Sequence, residues 1–204
     1  MKRALLYWFS ALGLLAAGAW LVCPDGACAA TGLDRSGLEL ARALAGPGPD
    51  RFMATATWLG SIWLLLPLAG LSALGLWRAG QGRRAAFLLL ALLGAAALAQ
   101  LFKHGVQRPR PDLFPSLAGL PADASYPSAH TMQAVALALA VASLAGRRWP
   151  WLPPALLVLA ALVAWSRVHL QVHFPTDVLA GALAAALWVT GLKHLLLAAP
   201  GRGG

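Results

Sequence analysis

The sequence predicts an all-α polytopic membrane protein, with six transmembrane helices and an outer interfacial helix after the first span. Of the 204 residues, 59% are hydrophobic and only 11% are charged, whereas a soluble domain carries roughly a quarter charged residues. The apolar residues form long blocks, and about 20 of them span the ~30 Å hydrocarbon core of a bilayer. Because a lipid-exposed backbone must satisfy its own hydrogen bonds, we expect helices. A soluble helical bundle is the disfavoured alternative.

The predicted spans follow the apolar blocks of one domain, 1–204, in which no internal repeat is visible. They are Ala4–Val22, Met53–Trp77, Ala85–Phe102, Ala129–Ala145, Trp149–Trp165 and Val178–Leu197. The tryptophans lie largely near the ends of these blocks, as in the aromatic belts of membrane proteins. Segment 32–52 alternates charged and apolar residues at helical spacing. It is either an interfacial helix along the outer surface or an ordinary polar connector.

Basic residues predict the orientation. With a cytoplasmic N-terminus, every short segment on the cytoplasmic side is basic, as the positive-inside rule requires. The residues on that side are Lys2, Arg3, Arg78, Arg83, Arg84, Arg147, Arg148, Lys193 and Arg202, nine of the sixteen lysines and arginines. We therefore expect a bacterial inner (cell) membrane protein with both termini in the cytoplasm. The net charge of +9 is scattered over short clusters, which argues against a nucleic-acid-binding face.

The N-terminal region permits two further interpretations. Lys2-Arg3, the apolar stretch and "ACAA" at 27–30 resemble a secretory signal. The stretch is long for a signal peptide, and a polar turn separates it from the small residues, so we expect a retained helix. The only cysteines, Cys23 and Cys28, lie in the outer segment. They can pair in an oxidising compartment, but we expect free thiols without a catalytic role.

Three polar clusters, distant in sequence, are predicted to meet at the outer face. They are "KHGVQRPRP" at 103–111, "YPSAH" at 126–130 and "SRVHLQVHFPTD" at 166–177. Charged groups at membrane depth cost about 3 kcal/mol each on insertion scales, so their clustering indicates function. Lys103, Arg110 and Arg167 supply positive charge that suits phosphate oxygens.

The fourth span begins beside this site. Pro127 precedes the helix start, so we expect the backbone N–H groups of Ser128, Ala129 and His130 to be free and to face a bound anion. Ser128 also offers a hydroxyl group. So many donors need an anion to satisfy them. The alternative is a set of interface residues that hold phospholipid headgroups without catalysis.

Two histidines supply the chemistry. His173 lies four residues before Asp177, so the carboxylate can hold one imidazole nitrogen while the other attacks phosphorus. His130, from a different helix, can protonate a leaving alkoxide. These residues predict phosphoryl transfer without a metal or cofactor. A zinc site is the alternative, since His169, His173 and Asp177 are spaced i, i+4 and i+8, but Pro175 interrupts that helix. Otherwise His169 is expected to be an ordinary loop or interface residue.

The three clusters resemble the signature of the type 2 phosphatidic acid phosphatase superfamily, written K-x6-RP, P-S-G-H and S-R-x5-H-x3-D. Lys103 is followed by six residues and Arg110-Pro111, residues 127–130 read PSAH, and 166–177 keep the third spacing. Ala129 stands where the family has glycine, and this departure puts the substrate preference in doubt more than the activity.

The resemblance implies a role for each residue of the signature. His173 forms a phosphohistidine and is oriented by Asp177, while His130 protonates the leaving group and then assists a water. The phosphate is held without metal by Lys103, Arg110, Ser128, Arg167 and the backbone N–H of Ala129. Family members act mostly on lipid phosphates at the extracytoplasmic face.

The candidate lipid substrates are undecaprenyl diphosphate, phosphatidic acid, phosphatidylglycerophosphate and lipid A, and we favour the first because the chain is compact and bacterial in character. The loop Asp112–Ser125 is expected to cover the site, and Arg108 and His104 to contact lipid headgroups. Non-enzymatic alternatives are an anion transporter and a lipid-binding membrane protein. Polar residues at one end of the spans and the lack of a repeat argue against a transporter. The sequence defines no oligomeric state.

Overall fold

The computed structural model describes residues 1–197 apart from the side chain of Arg147, and Arg202 of the predicted cytoplasmic cluster lies outside the described residues. Regular structure in this range is entirely helical, as predicted. The α-helices are α1 (Lys2–Val22), α2 (Gly32–Ala43), α3 (Pro47–Ala56), α4 (Ile62–Arg78), α5 (Gly82–Val106), α6 (Ala129–Ala145), α7 (Leu152–His169) and α8 (Pro175–Leu196). Short 3-10 turns at Pro24–Gly26, Thr57–Gly60 and Gly146–Arg148 follow α1, α3 and α6.

Helix length and hydropathy identify membrane-spanning helices in the protein. Helices α1, α5, α7 and α8 are each long and apolar enough to cross a bilayer. Helices α3 and α4 form a fifth crossing if taken together, but the chain bends by 42° between them. The predicted second span is interrupted because Ser61 is extended, with φ −72° and ψ 133°, and cannot continue a helix. Helix α6 is apolar but has only 17 residues, so the number of six spans stays a prediction.

Segment 32–52 folds as two helices, so its interpretation as an ordinary connector is wrong. The backbone N–H of Asp34 donates to Thr31 Oγ1 at 3.2 Å, and that of Thr31 donates to Asp34 Oδ2 at 3.0 Å. This reciprocal capping box starts α2. Pro47 starts α3, where a missing N–H is tolerated. Leu38 of α2 is buried in a cluster with residues of α7 and α8, which fixes α2 against the ends of both helices.

Small residues allow the central helices to approach closely. Gly94 of α5 leaves room for the indole ring of Trp188 in α8, whose Nε1 donates to Leu90 O at 3.0 Å. On the opposite side, Gly18 of α1 packs against the hydroxyl of Tyr126, which donates to Leu15 O at 2.9 Å. Close glycine contacts of this kind are typical of helix packing in membranes. The second contact ties the segment before α6 to α1.

The expectation of free thiols is wrong, because Cys23 and Cys28 form a disulfide. The 3-10 turn between them reverses the chain. Asp25 and Gly26 both have positive φ angles, 52° and 80°, and this conformation brings the two cysteines together. The sequence separation of 5 residues between the two cysteines did not by itself predict this turn.

The assignment of Arg108 to a lipid headgroup is also wrong, since its side chain is 99% buried inside the protein. Its guanidinium forms ion pairs with Asp34 of α2 at 2.8 Å and with Asp177 of α8 at 2.6 Å. It also lies over the ring of Phe174, 3.9 Å from the centroid. Arg108 therefore pairs with two buried carboxylates and joins α2 to the start of α8. His104 is exposed, where a headgroup contact remains a prediction.

Arg108→Ala is expected to lower the free energy of unfolding by about 3–5 kcal/mol, because it leaves two buried carboxylates without a counter-charge. The measurement is denaturant-induced unfolding of the purified protein in detergent. Arg35→Ala removes an exposed arginine from α2 and is the matched control, with an expected effect below about 1 kcal/mol. Equal stability of the two variants would contradict the role assigned to Arg108.

Candidate active site

The structure brings the three polar clusters together at one end of the helix bundle. Helices α5 and α7 end there, and α6 and α8 begin there. Direct bonds join the clusters: Arg110 Nη1 donates to Val172 O at 2.6 Å, and the backbone N–H of Ser128 donates to Asp177 O at 3.1 Å. Residues far apart in sequence thus form one continuous polar site.

His173 lies in the short loop between α7 and α8, and both of its ring nitrogens contact polar side chains. Its Nδ1 lies 3.5 Å from Asp177 Oδ2 and 3.4 Å from Ser125 Oγ. Its Nε2 lies 3.2 Å from Arg110 Nη1. A carboxylate beside Nδ1 favours the tautomer with the proton on that nitrogen. The lone pair of Nε2 then points toward the cationic side of the site.

The imidazole of His173 is kept neutral by its surroundings. The side chain is 98% buried, and burial lowers the pKa of His173 well below its ordinary value. The positive charges of Arg167 and Arg110 lower this pKa further. A neutral imidazole retains the lone pair that a nucleophile needs.

Asp177 begins α8 and is completely buried. Its Oδ2 accepts hydrogen bonds from Ser125 Oγ at 2.5 Å and from the backbone N–H of Phe174 at 3.0 Å. The second bond caps the helix. Together with the ion pair to Arg108, these bonds fix the carboxylate next to His173.

Lys103 and Arg110 share one acidic residue that the sequence did not single out. Asp123 lies 3.2 Å from Lys103 Nζ through Oδ2 and 2.6 Å from Arg110 Nη2 through Oδ1. Lys103 also donates to the carbonyl oxygen of Ala124. The two predicted phosphate-binding cations are thus adjacent, and both are largely buried.

Arg167 reaches the site from the last turn of α7. Its Nη1 donates to Thr57 Oγ1 at 2.7 Å, in the 3-10 turn that precedes α4. Among residues 1–197, its buried Nε has no hydrogen-bond partner. Its carbonyl oxygen accepts from the backbone N–H of His173 at 3.2 Å, which ties the loop to α7.

The start of α6 differs in one respect from the prediction. The N–H of Ser128 is not free, because it donates to Asp177 O, so it cannot bind an anion as expected. Ala129 and His130 occupy the first helical turn, where backbone N–H groups have no partner within the helix. The hydroxyl of Ser128 accepts from Thr131 Oγ1 at 3.0 Å and keeps its own proton to donate. His130 is half-buried, with its backbone against Gly60.

His169 does not join His173 and Asp177. Its Nε2 lies 2.9 Å from Asp50 Oδ1 in α3, and the side chain is buried between helices rather than in a loop. Within residues 1–197, no three histidine, cysteine or acidic side chains are grouped for metal binding. The three residues of the zinc alternative therefore do not converge.

Four contributors to the site were missed from the sequence: Asp34, Thr57, Asp123 and Ser125. The spacing Thr31-x-x-Asp34 fits a helix-start motif, which could have suggested a cap but not an ion pair with Arg108. Asp123 and Ser125 lie in the loop that was expected to cover the site. Their position in that loop is the sequence feature that could have indicated their role.

Comparison with known proteins agrees with this geometry. Residues 84–199 match the model of the PAP2 superfamily. Decaprenylphosphoryl-5-phosphoribose phosphatase of Mycobacterium tuberculosis is 37% identical over 130 residues, 61% of this chain and 66% of that protein. Undecaprenyl-diphosphatase of Sulfolobus acidocaldarius is 32% identical over 110 residues, 52% of each chain. The matched part thus spans 66% or less of these two relatives.

The fold is similar along its whole length to a solved structure. The crystal structure of a PAP2 type phosphatidylglycerolphosphate phosphatase from Bacillus subtilis superposes with a TM-score of 0.79 at 25% identity, covering 100% of both chains. The family match over more than half of the chain and this shared fold agree with the resemblance of the three clusters. The chain therefore belongs to the PAP2 superfamily.

Proposed function

We propose that this protein is a membrane lipid phosphatase that works through a covalent phosphohistidine on His173. The proposal rests on the groups that surround the His173 imidazole. It is buried and neutral, its Nδ1 faces Asp177, and its Nε2 faces Arg110. A nitrogen nucleophile held beside a cationic group suits attack on a phosphoryl group.

The reaction has two steps. In the first, Nε2 of His173 attacks phosphorus, the bond to the leaving oxygen breaks, and His130 donates a proton to that oxygen. In the second, His130 accepts a proton from a water whose oxygen attacks phosphorus. The P–N bond then breaks, and inorganic phosphate leaves with the imidazole restored. No metal or cofactor takes part in this scheme.

The phosphoryl oxygens are bound by cationic groups and by the start of α6. Lys103, Arg110 and Arg167 neutralise the charge that develops during transfer. The hydroxyl of Ser128 and the backbone N–H of Ala129 add donors at the positive end of the helix dipole. Asp177 orients His173 and does not bind the phosphoryl group in this scheme, because Arg108, Ser125 and the N–H of Phe174 hold its carboxylate in place.

An apolar groove beside the site supports a lipid substrate. Apolar side chains of α4, α6 and α7 line a cavity of about 220 Å³. Two of its lining residues lie one helical turn from the site: Ala134 follows His130 by four residues, and Val163 precedes Arg167 by four. A hydrocarbon tail in this groove would place a terminal phosphate at the basic end.

We propose undecaprenyl diphosphate as the physiological substrate and the extracytoplasmic face of a bacterial cell membrane as the location of the site. Both sequence relatives described above are named for polyprenyl-linked substrates, which supports a polyprenyl lipid. The opposite ends of the spans carry Lys2, Arg3, Arg78, Arg83 and Arg84. By the positive-inside rule, these residues and both termini belong in the cytoplasm.

His173→Ala is expected to reduce phosphate release from dioctanoyl phosphatidic acid by at least about 10³-fold, since it removes the nucleophile. The assay uses purified protein in detergent with a chelator present. His104→Ala, which changes an exposed histidine, is the control and should keep wild-type turnover. Quenched wild-type reactions should contain an acid-labile phosphate on His173. Wild-type turnover by His173→Ala, label on another residue, or zinc-dependent activity contradicts the mechanism.

The substrate proposal is tested by comparing kcat/KM for four lipids in mixed micelles: undecaprenyl diphosphate, phosphatidic acid, phosphatidylglycerophosphate and lipid A. We expect the highest value for undecaprenyl diphosphate, because the two sequence relatives described above are named for polyprenyl-linked substrates. A higher kcat/KM for any of the other three assigns the enzyme to that lipid instead. Inorganic phosphate release measured at equal surface concentrations provides the comparison.

A further inference from the structure

Asp123 occupies the donors that a phosphate would use. Its carboxylate contacts Lys103 Nζ at 3.2 Å and Arg110 Nη2 at 2.6 Å. Its carbonyl oxygen also accepts from Arg110 Nε at 3.0 Å. Since Arg110 Nη1 donates to Val172 O, the three nitrogens of this guanidinium are all engaged. A phosphoryl oxygen can bind the Nε and Nη2 edge of the Arg110 guanidinium only when Asp123 moves away.

The carboxylate of Asp123 is able to act as an anion and to move. Burial alone would raise the pKa of Asp123, but the charges of Lys103 and Arg110 outweigh that effect and lower it. Asp123 is therefore ionised near neutral pH. Its side chain is 42% exposed and lies in the connection between α5 and α6, which has no regular structure. The carboxylate can therefore move out into solvent.

We propose that Asp123 is an internal competitor, which occupies Lys103 and Arg110 and must be displaced by the substrate's phosphoryl group. The inference rests on the proposed function. A phosphodiester carries one negative charge and a terminal phosphate about −1.5 to −2 at pH 7, but both must break the same ion pairs of Asp123 before they bind. The free energy of these ion pairs is therefore subtracted from the binding of either ligand. Asp123 thus weakens the binding of phosphoryl groups at Lys103 and Arg110.

The first test measures the binding of inorganic phosphate to the full-length protein in a zwitterionic detergent. The Kd follows from the rise of the thermal midpoint with phosphate concentration. Asp123→Asn should bind phosphate roughly tenfold more tightly than wild type, because a like charge has been removed from the site. Asp112→Asn removes an exposed carboxylate from the same loop and should leave the Kd unchanged. Arg110→Ala should abolish the phosphate-dependent shift, which locates the binding.

The second test repeats the measurement with dihexanoyl phosphatidylglycerol, a soluble phosphodiester with one negative charge. Asp123→Asn should gain affinity for this diester by a factor similar to that for phosphate, because both ligands displace the same carboxylate. Asp123→Glu, which keeps the charge, should resemble wild type. A phosphate Kd for Asp123→Asn equal to or weaker than that of Asp112→Asn overturns the inference. Unchanged affinity of Asp123→Asn for the diester also overturns it.

Hydrolysis assays separate this inference from the proposed function. Lipid phosphate hydrolysis that depends on His173, together with unchanged phosphate affinity in Asp123→Asn, rejects the competitor and retains the phosphatase. Tighter phosphate binding by Asp123→Asn without hydrolysis of any of the four lipids retains the competitor and rejects the phosphatase.

Discussion

The buried carboxylate of Asp177 is the group on which the rest of the site depends. Its oxygens contact Arg108 at 2.6 Å, Ser125 at 2.5 Å and the N–H of Phe174 at 3.0 Å. An ionised carboxylate removed from water is tolerated only with such donors. Because Arg108 and Ser125 lie near opposite ends of the connection between α5 and α6, satisfying this one charge requires both ends to meet at the start of α8.

The same constraint produces the nucleophile. With Asp177 fixed by other donors, its Oδ2 is left 3.5 Å from Nδ1 of His173. Burial and the neighbouring cations keep the imidazole neutral. Arg110 faces the opposite ring nitrogen, so one side of the ring is oriented by an anion and the other faces positive charge. The apolar helices around the site add a low dielectric, which strengthens both interactions.

The sequence predicted the helical class and the convergence of the three clusters because both depend on regular features, hydropathy blocks and motif spacing. It failed where a contact links residues that no periodic pattern relates. Arg108 forms an ion pair with Asp34, which lies 74 positions away in the sequence. The backbone N–H of Ser128 donates to a main-chain oxygen of α8. The break before Ser61 and the turn between the cysteines depend on local dihedral angles, which hydropathy does not report.

The ion pairs of Arg108 have a consequence for how such a sequence can change over time. Asp34 lies outside the three motifs, yet its partner Arg108 also holds the carboxylate next to His173. A lineage that loses the acidic group at position 34 leaves Arg108 paired with Asp177 alone, and one that loses Arg108 leaves two buried negative charges. Mutational drift at position 34 of the amphipathic helix α2 is therefore coupled to the motif region through Arg108, whereas position 108 is constrained by both carboxylates.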